Sequence, residues 1–213
     1  MRQLDGSSMA MNEVKRTRSE IKRQAIIEAA RQAFTDQGVQ GTSMDKVAAL
    51  AQVSKRTVYN HFPNKEALVM HLLSQVWQQA LTQTELQYQP DQPLAPQLQG
   101  LLEEELTLLC DPINLDMTRV AFSHFLFHPQ QLQVEMAKFN ELETGLQRWL
   151  TAAVADGRLK PMEIRFAMEQ LHGLIKGCGF WPQVMMSMPP LPEPQRRQLA
   201  AESAAMFLSH YQV

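Results

Sequence analysis

Only two residues, Gln52 and Val53, separate Ser54 from the end of an apolar repeat at Met44, Val47, Ala48 and Ala51. That repeat has the i, i+3, i+4, i+7 spacing of a short amphipathic helix, and Thr42-Ser43-Met44-Asp45 at its start fits the hydroxyl-x-x-acid capping pattern. Ser54 then opens a second helix. Its hydroxyl can accept from a free backbone N–H one turn on, and Val53 and Val58 occupy the staple positions on either side of that start. Pro63 ends the helix after Phe62. Two short helices joined by so tight a turn form a helix-turn-helix pair, whose second helix has the geometry to enter a duplex major groove.

From a start at Ser54, Val58 and Phe62 fall one turn apart and point inward, which leaves Lys55, Arg56, Tyr59 and Asn60 on the outside. Lys and Arg can donate to guanine edges or phosphates, and Tyr and Asn can bond backbone oxygens or an adenine edge. A solvated polar turn would have the same composition, so the neighbouring sequence has to decide. Upstream, Ser19 to Gln37 forms a longer helix with Ile26, Ala30, Ala33 and Phe34 on one face and Gly38 as its stop. Three helices then share one small core.

These residues carry a family resemblance. Phe34, Gly38, Thr42-Ser43-Met44, Val47-Ala48, the run Val53 to Phe62 and Lys65-Glu66-Ala67-Leu68 resemble the N-terminal signature of the TetR/AcrR family of bacterial transcriptional regulators, over roughly residues 20 to 70. The resemblance implies backbone-phosphate contacts for Thr42, Tyr59, His61 and Lys65, with Ser54, Lys55, Arg56, Thr57 and Asn60 completing the DNA-binding surface. Two positions depart from the family pattern. Gln52 stands where glycine is usual in the turn, at a cost of about 1 kcal/mol if the position needs positive φ. Arg56 also stands where many members have glycine, so the operator cannot be borrowed from relatives.

The charge distribution agrees with such a head. Residues 13 to 65 hold ten Lys/Arg and five Asp/Glu, and residues 66 to 213 hold nine and sixteen, so a net charge of −2 hides a +5 head on a −7 body. A basic head on an acidic body is expected where the head alone meets phosphates. Lys15, Arg16, Arg18, Lys22 and Arg23 lead into the first helix, either as an arm on the DNA backbone or as a solvated helix start. Residues 1–12 read as a disordered tail or a cloning remnant, 13–65 as the DNA-binding domain and 66–213 as a helical ligand-binding and dimerisation domain. Cys110 and Cys178, far apart in a chain without a signal-peptide pattern, read as reduced, buried thiols. No run reaches membrane-span length, and the expected location is the cytoplasm.

In the body the periodicity predicts helices over about 68–86, 97–110, 117–127, 131–156, 162–178 and 195–211, making nine in an all-α chain. Gly157-Arg158-Leu159 and Gly173 to Pro182 resemble the AefR-like subgroup of the family. In the family the last two helices pair with a second subunit and the central helices enclose a ligand. Gly173 and Gly177, which permit close helix approach, and the weakly amphipathic last helix with Leu199, Met206 and Phe207 support an isologous dimer. Met117, Phe122, Phe125, Trp149, Met168, His172 and Trp181 are the candidate ligand-binding residues, although aromatic and Met side chains at helical spacing are more often core.

Other chemistry finds little support. His124 and His128, four apart, lack a third ligand at defined spacing, so no metal is expected. Glu103-Glu104-Glu105 reads as a solvated face, and no phosphate loop or nucleophile elbow is present. Neither an enzyme nor a cofactor is expected. The reading is a DNA-binding regulator, a homodimeric repressor on a palindromic operator, released by a small apolar or amphipathic effector. Coupling would run through the helix from Leu68 to Leu86, on which Gln75 is expected to face outward. The alternative is an architectural or partner-regulated DNA-binding protein without a small-molecule ligand.

Overall fold

The computed structural model describes residues 17–82, 86–140 and 143–213. Eleven helices are found among them: α1 (Arg18–Gly41), α2 (Met44–Leu50), α3 (Lys55–His61), α4 (Lys65–Thr82), α5 (Leu94–Leu109), α6 (Pro112–Phe125), α7 (Pro129–Asn140), α8 (Gly145–Ala155), α9 (Ile164–Gly179), α10 (Trp181–Met186) and α11 (Glu193–Tyr211). The described residues contain no strand, only one antiparallel bridge between Leu159 and Gln212. The chain is all-α, as expected. The N-terminal tail, Lys15 and Arg16 lie outside the described residues.

The nine expected helices become eleven because the 131–156 segment is divided by an internal cap and a short helix, α10, forms where a break was expected after α9. Thr144 accepts from Gln147 N at 3.1 Å and so starts α8 afresh inside the 131–156 run. After α9, Phe180 leaves helical geometry and Pro182 seeds α10, since proline is tolerated in a first turn. Asp111-Pro112 likewise both stops α5 and starts α6, the Asp111 carboxylate accepting from Ile113 N and Asn114 N at 2.9 Å. The helix beginning near Leu68 is described only to Thr82, and Leu86 is not helical.

Two apolar cores result. The head core gathers Ile26, Ile27, Ala30 and Phe34 of α1, Val47 and Ala48 of α2, Val58 of α3 and Leu68, Val69, Leu72 and Leu73 of α4. It does not close at residue 65, because Met117, Val120, Ala121 and Phe125 of α6 belong to the same cluster. The body core is built by α5, α8, α9, α10 and α11 around Leu98, Leu102, Leu106, Trp149, Leu171, Ile175 and Phe207. Phe207 is therefore spoken for within its own chain.

The close helix approach falls at Gly179, where an added Cβ would lie 2.5 Å from a Leu106 methyl and 3.4 Å from one of Leu199. At Gly173 and Gly177 a Cβ would meet nothing within 4 Å. Beyond α4, the segment before α5 is clasped to the α8–α9 turn. Arg158 Nη1 donates to Pro90 O at 2.6 Å and Gln92 O at 2.8 Å, and Tyr88 donates to Asp156.

Candidate nucleic-acid interface

The turn between α2 and α3 is set by hydrogen bonds rather than by glycine. Gln52 N–H donates to Ala49 O at 3.2 Å and Val53 N–H to Ala48 O at 3.1 Å, the paired bonds of a Schellman stop, with Gln52 at φ 53°. The left-handed conformation anticipated for Gln52 is present, and the missing glycine is a local strain. Ser54 then caps α3, accepting from Thr57 N at 3.1 Å, while its hydroxyl pairs with that of Thr57 at 2.8 Å. Both hydroxyls are thus engaged in holding the helix start.

On that helix Lys55, Arg56, Tyr59 and Asn60 are all exposed and Val58 is fully buried, the division expected from the spacing. His61 is half-buried. Lys55 reaches back to α2 and pairs with Asp45 at 2.5 Å. The hydrogen bond it donates to that carboxylate, and then the carboxylate's charge, raise the Lys55 pKa above its ordinary value. Arg56 has no ion pair among the described residues, which leaves its guanidinium free for an external acceptor.

Two expectations change here. Thr42 is 3 % exposed, and its hydroxyl donates inward to Gly38 O at 2.9 Å and Ala33 O at 3.1 Å, so it braces the kink at the end of α1 and presents no donor outward. The cap of α2 is accordingly Ser43, accepting from Lys46 N, so the cap lies one residue later than the hydroxyl-x-x-acid pattern put it and the residue three on from it is not an acid. Gly38 at φ 72°, ψ 163° occupies a region open essentially to glycine, which is why α1 kinks there, with one short turn to Gly41 beyond it. Lys65 donates to Thr42 O at 2.9 Å and Gln40 O at 3.3 Å, holding one more cation at this corner.

Within the basic run, Arg18 and Lys22 are exposed but Arg23 is not a backbone arm. Its guanidinium lies 5.0 Å over the Phe62 ring and contacts both ring nitrogens of His71 at 3.3 and 3.4 Å. Arg23 therefore joins α1, the end of α3 and α4. Burial first, and the Arg23 charge second, push the His71 pKa below its ordinary value.

The N-terminal family model described as "Bacterial regulatory proteins, tetR family" matches residues 26–72, and the model described as "AefR-like transcriptional repressor, C-terminal domain" matches residues 96–213. The chain belongs to the TetR family. A TetR-family transcriptional regulator from Pseudomonas syringae pv. tomato is 39 % identical, with 90 % of this chain and 97 % of that chain covered and a TM-score of 0.69. The regulator AcrR of Shigella flexneri is 28 % identical over 130 residues, covering 58 % of this chain and 56 % of AcrR. TtgR of Pseudomonas putida is 45 % identical over 62 residues, 28 % of this chain and 30 % of TtgR. The chain thus spans about half or less of these two curated relatives. As a TetR-family member it is a DNA-binding transcriptional regulator, the helix-turn-helix being its DNA-binding element.

The body of this TetR-family protein treats its seven candidate ligand residues differently from the sequence expectation. They do not converge. Met117 and Phe125 belong to the head core, whereas Trp149 lies in the body core with Met168 packed against it. Trp149 is 1 % exposed and donates through Nε1 to Gln97 at 3.2 Å. Phe122 and Trp181 meet edge to face at 5.4 Å, Trp181 being largely exposed.

His172 instead joins Lys176 on a buried carboxylate, each 3.3 Å from Glu105. Burial alone would raise the Glu105 carboxyl, yet bonding and charge from His172 and Lys176 outweigh it and hold the carboxyl below its ordinary range. Glu105 is thus a buried structural anion rather than part of a solvated face. Its neighbours in sequence misled, because consecutive helical residues face different ways.

Of the residues expected at a dimer interface, Met206 is exposed on α11, Leu199 is partly buried, and Gly173 and Gly177 lie on an open face of α9. Cys178 is exposed rather than buried, while Cys110 is buried, donates to Gly179 O and has its pKa raised by burial. His124 and His128 stack at 4.4 Å, and the described residues hold no group of three or more metal-ligating side chains. Gln75 does not face outward, for its Oε1 is buried without a hydrogen-bond partner. No described helix is long and apolar enough to cross a membrane.

A cleft of about 280 Å³ opens where head and body meet, and the sequence did not point to it. Arg31, Phe34 and Thr35 of α1, Leu72 and Val76 of α4, and Ile113, Asn114 and Met117 of α6 form its walls, with Asp111 at the α6 cap. Of the seven candidates only Met117 lines it.

Proposed function

We propose that this protein is a repressor that binds a palindromic operator as a homodimer and is released by a small apolar or amphipathic effector. The observation that carries the reading is the exposed, locally capped face of α3, with Lys55, Arg56, Tyr59 and Asn60 outward and Val58 in the core. The match of residues 96–213 to an AefR-like repressor domain supports repression over activation. A two-fold dimer supports palindromy, because half-sites one helical turn apart mirror the protein's own symmetry. The open faces of α9 at Gly173 and Gly177 and of α11 at Met206 are the surfaces assigned to the second copy.

The effector reading is supported by the cleft between α1, α4 and α6. A molecule seated there sits against both the α1 scaffold of the head and the first turns of α6, so its preference for one spacing biases the head. α4 carries that bias as a rigid element running from the head core toward the body. The division at residues 13–65 and 66–213 is kept as a functional one, and the location proposed is the cytoplasm.

Selecting duplexes from a random pool tests the DNA half of the reading: symmetric half-sites are expected, and a single asymmetric footprint would refute the dimeric operator. A thermal-shift screen with a lipophilic library tests the effector half, since a ligand that binds only the folded state raises stability by mass action. No shift across the library would favour a partner-regulated protein. Gln79, exposed on α4, replaces Gln75 as the position for a helix-weakening glycine. Q79G is expected to leave ligand binding nearly intact while weakening ligand-induced DNA release.

A further inference from the structure

Between Thr42 and Lys65 the chain carries four Lys/Arg and a single carboxylate, that of Asp45. This lone acid stands in the first turn of α2, where it complements the helix dipole, yet it caps nothing there: Ser43 accepts the free Lys46 N–H. The Asp45 carboxylate instead crosses to α3 and holds Lys55, with both side chains more than half exposed. Arg56, the next residue, is left free. An acid on the surface that must meet a polyanion works against binding unless something is gained by its presence.

We propose that Asp45 is a specificity-determining residue, keeping the Lys55 ammonium from sequence-blind contact with DNA phosphates. The inference rests on the reading that the α3 face meets DNA. Affinity for arbitrary duplex comes from cations that neutralise phosphates and release counterions. Lys55 is already neutralised by Asp45, so moving it to a phosphate exchanges one ion pair for another and strands a carboxylate beside the backbone. Arbitrary DNA gives no compensation. A duplex that offers Lys55 a guanine edge does, through a directed hydrogen bond. Specificity is a difference between affinities, and here it is widened by penalising the wrong sequence.

The test uses the full chain and two duplexes: a random-sequence 30-mer and a sequence selected by the parent from a random pool. Binding is followed by fluorescence anisotropy at several NaCl concentrations. D45N is expected to bind the random duplex roughly two- to fivefold more tightly per head. Its log–log salt dependence should steepen by about 0.9 per head, one further counterion released. The ratio between selected and random DNA should narrow. In a K55Q background, D45N should change neither quantity, because the effect passes through the ammonium.

An unchanged random-duplex affinity and salt slope in D45N would overturn the proposal, as would an equal gain on both duplexes, which leaves specificity untouched. The same gain in the K55Q background would also overturn it, assigning the effect to direct repulsion by the carboxylate. If the parent itself binds neither duplex, the α3 reading fails and takes this inference with it. Melting temperatures of all four proteins, parent included, separate these outcomes from loss of fold.

Discussion

The α3 surface of the head and the inter-helix contacts of the body in this regulator fix their polar side chains by different means. In the head, Ser43, Ser54 and Asn64 each bond a backbone N–H three residues on, so short-range chemistry sets the helix starts and leaves Arg56, Tyr59 and Asn60 free at the surface. In the body the polar bonds span the chain: Trp149 to Gln97, Arg119 to Gln183 O, and His172 and Lys176 to Glu105. The contrast teaches that the polar groups on the outer face of α3 can be removed at little cost to the fold, whereas Trp149, Glu105 and their partners in the body are part of the packing.

The largest effect belongs to the body. Trp149→Ala should destabilise the chain by about 3–5 kcal/mol in urea unfolding, as a large core deletion does. A loss under about 1 kcal/mol, together with loss of an effector-induced thermal shift, would return Trp149 to a ligand pocket and blur the contrast. In the head, Arg56→Ala should lower affinity for selected DNA by about 1–3 kcal/mol with relaxed choice at one base pair. Its melting temperature should stay that of the parent. Equal loss on random DNA would make Arg56 a phosphate contact instead.

The two Schellman stops allow a direct match between the regions. Gln52 after α2 and Gly157 after α8 share the same pair of backbone bonds and φ of 53° and 70°. Gln52→Gly should therefore stabilise, and Gly157→Ala destabilise, each by about 1 kcal/mol. Equal and opposite shifts in chemical denaturation would show that the α2 stop carries a strain the α8 stop avoids. Opposite signs failing to appear would mean that neighbouring contacts, not φ, govern the turn.

The smallest effect expected is one of pH. His71 is held neutral by burial and by Arg23, so its pKa is lower folded than unfolded. Its contribution to stability is whole above the ordinary value, about pH 6.5, and is lost as pH falls through that value toward the folded one. His71→Gln should flatten the dependence of stability on pH below about 6.5, leaving the curve above it unchanged in shape. An identical slope in parent and variant would remove His71 from the head's linkage.

Much of the head was legible because its determinants lie within one turn of the residues they control. The Ser54 cap, the break at Gly38 and the inward Val58 and Phe62 all follow from local rules, whereas the strained Gln52 was expected only from the glycine usual at that place in the family. Thr42 failed for the same reason in reverse: the rule saw a hydroxyl three residues before an acid, but Ser43 was the better-placed cap and Thr42 was drawn to Gly38 O and Ala33 O. The capping box of Thr17 and Glu20 obeyed the rule and went unread. In the body, Glu105 could not be placed without knowing that α9 would bring Lys176 and His172 against α5. Nor could the candidate aromatics be assigned to one cavity, since helical spacing reports a buried face and says nothing of which core buries it.

The glycines of α9 set up a question about mutational tolerance. At Gly179 any side chain must displace Leu106, so a scan of substitutions there reports on this chain alone. Gly173 and Gly177 have open space beyond them, and alanine in place of a helical glycine adds up to about 1 kcal/mol of stability through helix propensity. A solitary molecule would therefore gain from alanine at either position. If a library screened for repression in cells loses those variants while purified chains carrying them melt higher than the parent, the selection is acting on a surface that only another molecule can fill, and the depletion pattern along α9 becomes a map of its partner's footprint.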